Sequence, residues 1–413
     1  MNNNMVKTFL SFFWFLPFLY IFLDIYFNLD LKLSAGALKT LLVISTICAL
    51  ILVVIWFKEF KESSYKSNAF KAIRETNIGK LESILNRAPT PNIYTNDAGK
   101  TLLEYAIDEQ VDSSIIYLLL SNKCYVSRAP SAEYNLGFTL FYLCAYYNYI
   151  NNSIIKYLLD AGANINFADT SKGFEGLSIL QSLTLRGDKE AIALALEHGA
   201  NISYFVNDLS LNTLMLAAKY IDDPIIIKML LEYGANVSEV NKDGYNALLL
   251  AAQYNSSSAV ITTLVNAGAK LRNYHIKSSI LKYNDVTALI LASTYNNESV
   301  VRKLISLGDD IEFKDSLGLN ALFVAAAHNP NVDVIKALLM AGLSLEKTRD
   351  KDGNTPLMAA AFLNSNPTVI KYLIDKTHNL KSINNDGFNF IDYLKQNHNL
   401  SEAEKDTILN RWS

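Results

Sequence analysis

The stretch LLEYGANVSEVNKDG, residues 230–244, decides the fold because the chain keeps returning to it. Approximations stand at 158–166 (LLDAGANIN), 195–203 (ALEHGANIS), 264–272 (LVNAGAKLR), 304–312 (LISLGDDIE) and 338–346 (LLMAGLSLE). The shared glycines, Gly162, Gly199, Gly234, Gly268, Gly308 and Gly342, are 37, 35, 34, 40 and 34 residues apart. A phrase recurring at such a period signals stacked copies of one structural unit.

Each glycine follows an apolar run at helical spacing, as in IIIKMLLEYG (225–234) and VDVIKALLMAG (332–342). Glycine there predicts a left-handed helix cap, since it has no Cβ to clash. A turn follows: NKDG (241–244), RDKDG (349–353) or NNDG (384–387). Asp or Asn followed by Gly suits a reversal with positive φ. Another helix then opens, at YNALLLAA (245–252), VTALILAS (286–293), LNALFVAA (319–326) and NTPLMAAA (354–361). Thr287 and Thr355 stand where a side-chain oxygen caps orphan amides, and Pro356 takes the first-turn position it tolerates. The pairs Ala251–Ala252, Ala325–Ala326 and Ala360–Ala361 let this helix approach its neighbours closely.

These segments resemble ankyrin repeats, with NTPLMAAA and LLEYGANV in the places of that family's T-P-L-H-x-A-A and L-L-x-x-G-A-x-V. The resemblance covers roughly residues 68–400. It implies an all-α fold, an ankyrin-type helical solenoid of about nine to ten repeats, here preceded by two transmembrane helices. The sequence departs from the pattern at the family's histidine, where Met215, Leu249, Ile290, Phe323 and Met358 stand. Apolar packing is expected to replace that histidine's hydrogen bonds. Between Gly268 and Gly308 about six extra residues predict an enlarged finger at 273–285. The first unit, at 68–95, reads as two short helices, and the fourth is weak in its first helix. The charged segment SEAEKD (401–406) suits a polar cap over 401–413.

The N-terminal part is different. After a tail of residues 1–7, TFLSFFWFLPFLYIFL (8–23) opens a first span extending to residue 27. A loop at 28–39 leads to TLLVISTICALILVVIWF (40–57), eighteen residues without a charge. At ~1.5 Å per residue that length approaches a hydrocarbon core of roughly 30 Å. The first run is bulky and lacks a small-x-small site, which argues against a cleaved signal peptide. Trp14, Tyr26 and Trp56 suit membrane interfaces. Lys7 precedes the first span, and Lys58, Lys61, Lys66, Lys71 and Arg74 follow the second, against Lys32 and Lys39 between them. That bias predicts a multi-pass protein of two spans, in contact with membrane lipid, with a linker at 58–67 and the repeats in the cytoplasm. The 28–39 loop is too short for a channel's re-entrant filter.

The chain carries 37 Lys and Arg against 40 Asp and Glu, a net charge of −3, with no basic stripe. Nucleic acid is not an expected partner. Three cysteines, Cys48, Cys124 and Cys144, make no disulfide framework and no zinc pattern, which fits a reducing compartment. The abundance of Asn, Ile, Lys and Tyr reads as coding bias. AGKT (98–101) lacks the glycine that a phosphate-binding loop needs at position 94, which is Tyr94. SIIK (153–156) falls on a repeat's second helix. His198, His275, His328, His378 and His398 have no metal-site spacing, and the pairs Asp222–Asp223 and Asp309–Asp310 read as solvated loop residues. No enzyme, cofactor, metal or small-molecule substrate is expected.

Aligned on the Ala-Ala pair, the second residue beyond it reads Tyr147, Tyr220, Tyr254, Tyr295 and His328. Beside them lie Tyr146, Lys219, Gln253, Thr294 and Phe362. The family resemblance places this region and the turn tips along the concave binding groove. Tyrosine offers a large apolar face and a polar tip at low entropy cost. Such a column either binds a partner or packs against the inter-helix loops. The expected function is a membrane-anchored scaffold binding a partner protein through the repeats. An exported, membrane-tethered protein serving the envelope, and a non-catalytic subunit of a membrane complex or channel, are the alternatives.

Overall fold

The computed structural model describes residues 35–412 apart from 89, 127–131, 149, 169–175, 206–209, 275–284 and 316. The expected first span, 8–27, lies outside the described residues. The chain divides into two compact units, residues 1–129 with 146–149, and 130–145 with 150–413.

In the first of these, α1 (Ala35–Arg74) is one uninterrupted helix of 40 residues. Its stretch Leu42–Arg74 is long and apolar enough to cross a membrane, by length and composition. The second expected span falls inside it, as does the expected linker. Most side chains from Leu42 to Phe60 stand in the open, including Val53, Val54, Trp56 and Phe57, with Ser45 and Cys48 buried among them, whereas Ala69, Ala72 and Ile73 are fully buried. The same helix therefore ends as the first helix of a repeat, packed on α2 (Ile78–Leu85) and α3 (Leu102–Asp108). A short 3₁₀ turn (Pro91–Ile93) precedes α3, and α4 (Ser113–Ser121) packs against it.

The second unit repeats one device. It contains α5 (Ala132–Tyr146) up to Ala145 and α6 (Asn152–Asp160), α7 (Ile179–Arg186) and α8 (Lys189–Glu197), α9 (Thr213–Tyr220) and α10 (Pro224–Glu232), α11 (Ala247–Tyr254) and α12 (Ser258–Asn266). It continues with α13 (Ala288–Tyr295) and α14 (Glu298–Ser306), α15 (Ala321–His328) and α16 (Val332–Met340), α17 (Pro356–Leu363) and α18 (Pro367–Lys376), and α19 (Phe390–Lys395) and α20 (Glu402–Trp412). Helices α9, α11, α13, α15, α17 and α19 stack side by side as a first row, and α10 to α20, taken alternately, form a second. First-row helices are buried nearly all round: Ala247 through Ala252 have no exposed member. An apolar helix of that kind is stable only with neighbours on both sides, which is why the unit must repeat.

The glycines behave as their positions require. Gly234 (φ +94°) and Gly342 (φ +109°) close second-row helices in the left-handed region. N-termini are closed by side chains: Thr287 accepts from Ile290 N at 3.1 Å and Thr355 from Met358 N at 3.2 Å. Asn212, Asn246 and Asn320 do the same for Met215, Leu249 and Phe323 at 2.8 to 3.0 Å. The five residues in place of the family's histidine are all buried, as apolar packing there requires. The weak first helix of the fourth unit forms as α7, held by a capping box between Ser178 and Gln181.

Most of the expected finger lies outside the described residues, but its base is a two-stranded ribbon. Strand β1 (Arg272–Tyr274) pairs antiparallel with β2 (Asp285–Thr287), Asn273 opposite Val286. Among the described residues the fold is thus helical with one small ribbon. Close to it a sequence expectation fails. Asp309, read as a solvated loop acid, is 6% exposed and accepts from Leu289 N at 2.8 Å. It stands where the related turns carry Ala200 or Ala235, so its side chain points inward. Burial pushes its carboxyl up to about 7, against the pull of the Leu289 and Asp310 amides. Asp223 is no free acid either: it caps α10 and pairs with Lys189 at 2.7 Å.

A second finding concerns asparagine. Asn255, Asn296, Asn329, Asn364 and Asn397 each donate two hydrogen bonds to the preceding unit. Asn329 Nδ2 reaches Ser293 O at 3.0 Å and Asn296 O at 2.9 Å, while its Oδ1 accepts from Asn331 N at 2.9 Å. The last carbonyls of a helix have no intrahelical partner. Here the next unit supplies one, through a chain of amides running from α9 to α19. For these five positions coding bias is the wrong explanation: an amide is the one small side chain that can donate twice and accept in one place.

Candidate functional site

The outward-facing partner of this chain of amides is the tyrosine column. Tyr220, Tyr254 and Tyr295 are the last residues of α9, α11 and α13, and they are 52%, 53% and 40% exposed. His328 ends α15 in the same register and is also exposed. At the next helix ends the register continues as Leu363 and Gln396. The reason for their exposure is local. After Tyr254, Tyr295 and His328 an asparagine turns inward to bond across the repeat junction, so the preceding side chain is directed out.

Lys219 joins two of the rings. Its ammonium stands 4.9 Å from the Tyr220 ring centroid and 4.4 Å from that of Tyr254, a cation held between two aromatic faces. No carboxylate pairs with Lys219 among the described residues. The hydroxyls of Tyr220, Tyr254 and Tyr295 likewise make no hydrogen bond to the described residues. Burial, and secondarily the nearby Tyr254, raises the Tyr295 hydroxyl above its ordinary range. Partial burial lowers the His328 imidazole, favouring its neutral form. Gln253 is half-buried beside the column, and Thr294 is buried, bonding back to Ile290 O at 2.8 Å. Phe362 is partly exposed and tilts against Tyr393, 5.5 Å between centroids.

Tyr147 does not belong to the exposed column. It is fully buried, and its hydroxyl donates to Val111 O at 2.5 Å. Helix α5 ends at Tyr146, which is 42% exposed and stands at the equivalent helix end. Counting from the Ala-Ala pair slipped here by one residue, because Cys144–Ala145 lies closer to its helix end than the later pairs do. Tyr147 therefore takes the inward position that asparagine holds further along.

The other sequence candidates fall into structural roles. In AGKT, Gly99 turns with φ +75°, Thr101 forms a capping box with Glu104, and Lys100 pairs with Asp108. Ser153 and Lys156 lie exposed on α6. His378 bonds Glu346 at 3.0 Å, and His198 Nδ1 lies 2.8 Å from Leu194 O. Cys124 and Cys144 are buried, and burial pushes both thiols up to about 12.

The helix pairs, the glycine-closed second row and the capped first row define a helical repeat protein, a class whose exposed ridges bind other proteins. Three copies of the ankyrin repeat family model match residues 140–239, 214–315 and 289–385, which together span more than half of the chain. The chain belongs to the ankyrin repeat family, and its repeats form a protein–protein interaction domain. Among solved structures it is similar to the human ASB11 ankyrin repeat domain, at 23% identity. That match covers 54% of this chain and 91% of the other, with a TM-score of 0.44.

Proposed function

We propose that this protein is a membrane-anchored adaptor whose ridge of Lys219, Gln253, Tyr220, Tyr254, Tyr295 and His328 holds a partner protein. The observation that carries this reading is the ridge itself: three exposed tyrosines in register, with hydroxyls unused and the ammonium between two of them unpaired among the described residues. Tyrosines serving only to pack would bury their rings and satisfy their hydroxyls, as Tyr147 does. The anchor in this reading is a hairpin of the 8–27 span and the apolar part of α1, with the repeats on the cytoplasmic side. Support comes from the length and exposed apolar surface of α1 and from the Lys/Arg bias around it. Anchoring raises the effective concentration of partners that share the membrane.

Photo-crosslinking in cells tests the ridge. A photoreactive residue replacing Tyr254 is expected to capture a specific protein, and one replacing Lys228, on the second row, is not. Adducts confined to the chain itself would sink the reading. Sidedness needs an introduced thiol, since Cys124 and Cys144 are too deeply buried to react from either side. Lys228→Cys, at a position 71% exposed, is expected to resist an impermeant maleimide in intact cells and to react after permeabilisation. Labelling of intact cells would place the repeats outside.

A further inference from the structure

We infer that the segment held by the ridge is a proline-rich stretch in the polyproline II conformation, with an apolar residue at every third position and an acidic residue facing Lys219; this rests on the adaptor reading. The argument begins with spacing. The helices that carry the row, α9, α11, α13 and α15, stack side by side at intervals of about 8–10 Å, and the Lys219 ammonium over both rings keeps Tyr220 and Tyr254 within that interval of each other. Tyr295 and His328 extend the row at the ends of the next two stacked helices, α13 and α15.

A ligand running along such a row must present side chains at the same interval. A strand returns to one face every ~6.7 Å and a helix every ~5.4 Å, so both fall out of step within one or two units. Polyproline II returns every three residues at ~3.1 Å each, about 9.3 Å, and keeps step with the row.

Hydrogen-bonding capacity points the same way. The ridge offers donors: three tyrosine hydroxyls and the Lys219 ammonium, none engaged by a carboxylate or carbonyl among the described residues. A polyproline II segment is rich in acceptors, since its carbonyls are unused internally and proline has no N–H. Compact pyrrolidine rings also fit between tyrosines that are exposed and do not stack on one another. The ammonium then selects a carboxylate at one position, where two ring faces already hold the cation in place. Proline-rich segments come to the site stiff, so little conformational entropy opposes binding.

The test uses the full-length protein in nanodiscs and a fluorescent twelve-residue peptide of repeated Pro-Pro-Leu with one central Glu replacing a Pro. The comparators are the same peptide with alternate D-prolines, which cannot hold the conformation, and an amphipathic helical peptide. Fluorescence anisotropy is expected to show binding of the all-L peptide alone. Tyr254→Ala should weaken it at least tenfold, Lys219→Met about threefold, and Lys228→Ala not at all. Tyr254→Phe, which keeps the ring, should fall between wild type and Tyr254→Ala. Equal binding of the D-proline peptide overturns the inference, as does displacement of the probe by the helical peptide or indifference to Tyr254→Ala. Failure of every peptide while the Tyr254 crosslink in cells persists overturns the conformation assigned and leaves the adaptor reading standing. Loss of both overturns both.

Discussion

At the end of each first-row helix from α11 to α19, two neighbouring residues face opposite ways. Tyr254 is 53% exposed and Asn255 only 2%; His328 stands in the open and Asn329 is 2% exposed. Along the outward position the residue varies, from Tyr through His to Leu363 and Gln396. Along the inward position it is Asn in five successive units. The inward residue must donate to two carbonyls and accept from one amide, a demand that only one small side chain meets. The outward residue has no such demand from the fold, and so it is free to be set by whatever lies against it. Stability and, in the proposed reading, partner binding are thus written in alternate letters of the same short phrase.

The largest expected effect breaks the inward column. Asn329→Leu keeps the branching but strands the buried Ser293 O and also Asn296 O and Asn331 N, whose bonds to Asn329 are half-buried. At ~1–3 kcal/mol for each unsatisfied group, with incomplete additivity, a loss of about 4 kcal/mol is expected in urea unfolding. His328→Ala, one residue away, should cost less than about 1 kcal/mol. Equal losses would mean that the amides do not join the repeats as described.

A smaller effect comes from Asp309, whose carboxyl is raised to about 7 by burial. The folded state then holds a proton that the unfolded chain releases near pH 4. Its stabilising contribution is full below pH 4 and is lost as pH rises toward and through 7. Asp309→Asn retains an acceptor for Leu289 N and removes the charge. It should raise stability at pH 8 by about 2 kcal/mol and at pH 4.5 by much less. Thermal melts of both proteins at the two pH values check the sign.

Smaller still is the effect of the outward column on stability. Tyr254→Ala should change unfolding by less than about 1 kcal/mol while abolishing the partner crosslink at neighbouring ridge positions. Lys228→Ala, whose pairing with Glu232 at 3.6 Å is exposed on both sides, should change unfolding by no more than ~0.5 kcal/mol and leave binding untouched.

Much of the fold was legible because its signals are local. A glycine three or four residues past an apolar run, a Thr before Ala-Leu, and a Pro at a first turn each act within a few residues. The amide chain was not legible in this way, since Asn364 finds its acceptors 35 and 38 residues back. Its trace was nevertheless present: the alignment on the Ala-Ala pair that revealed the tyrosines stopped one residue short of it. Asp309 was misread because adjacency in a loop says nothing about which side chain fills an alanine's place. The ridge was legible as a pattern of residue types. That Lys219 would lie between two rings was not, because it depends on the pitch of the stack.

One feature of the N-terminal part bears on direction rather than affinity. From Phe57, exposed at the end of the apolar run, to Ala69, fully buried in the first repeat, α1 continues without a break. Twelve residues of helix make a strut of about 18 Å that cannot swivel, because every turn is hydrogen-bonded to the next. With the apolar run set in a bilayer, the phase of this helix fixes the compass bearing of the first repeat about the membrane normal. One residue inserted between Lys61 and Lys66 would swing that bearing by ~100°, and seven would return it to within about 20° of where it began.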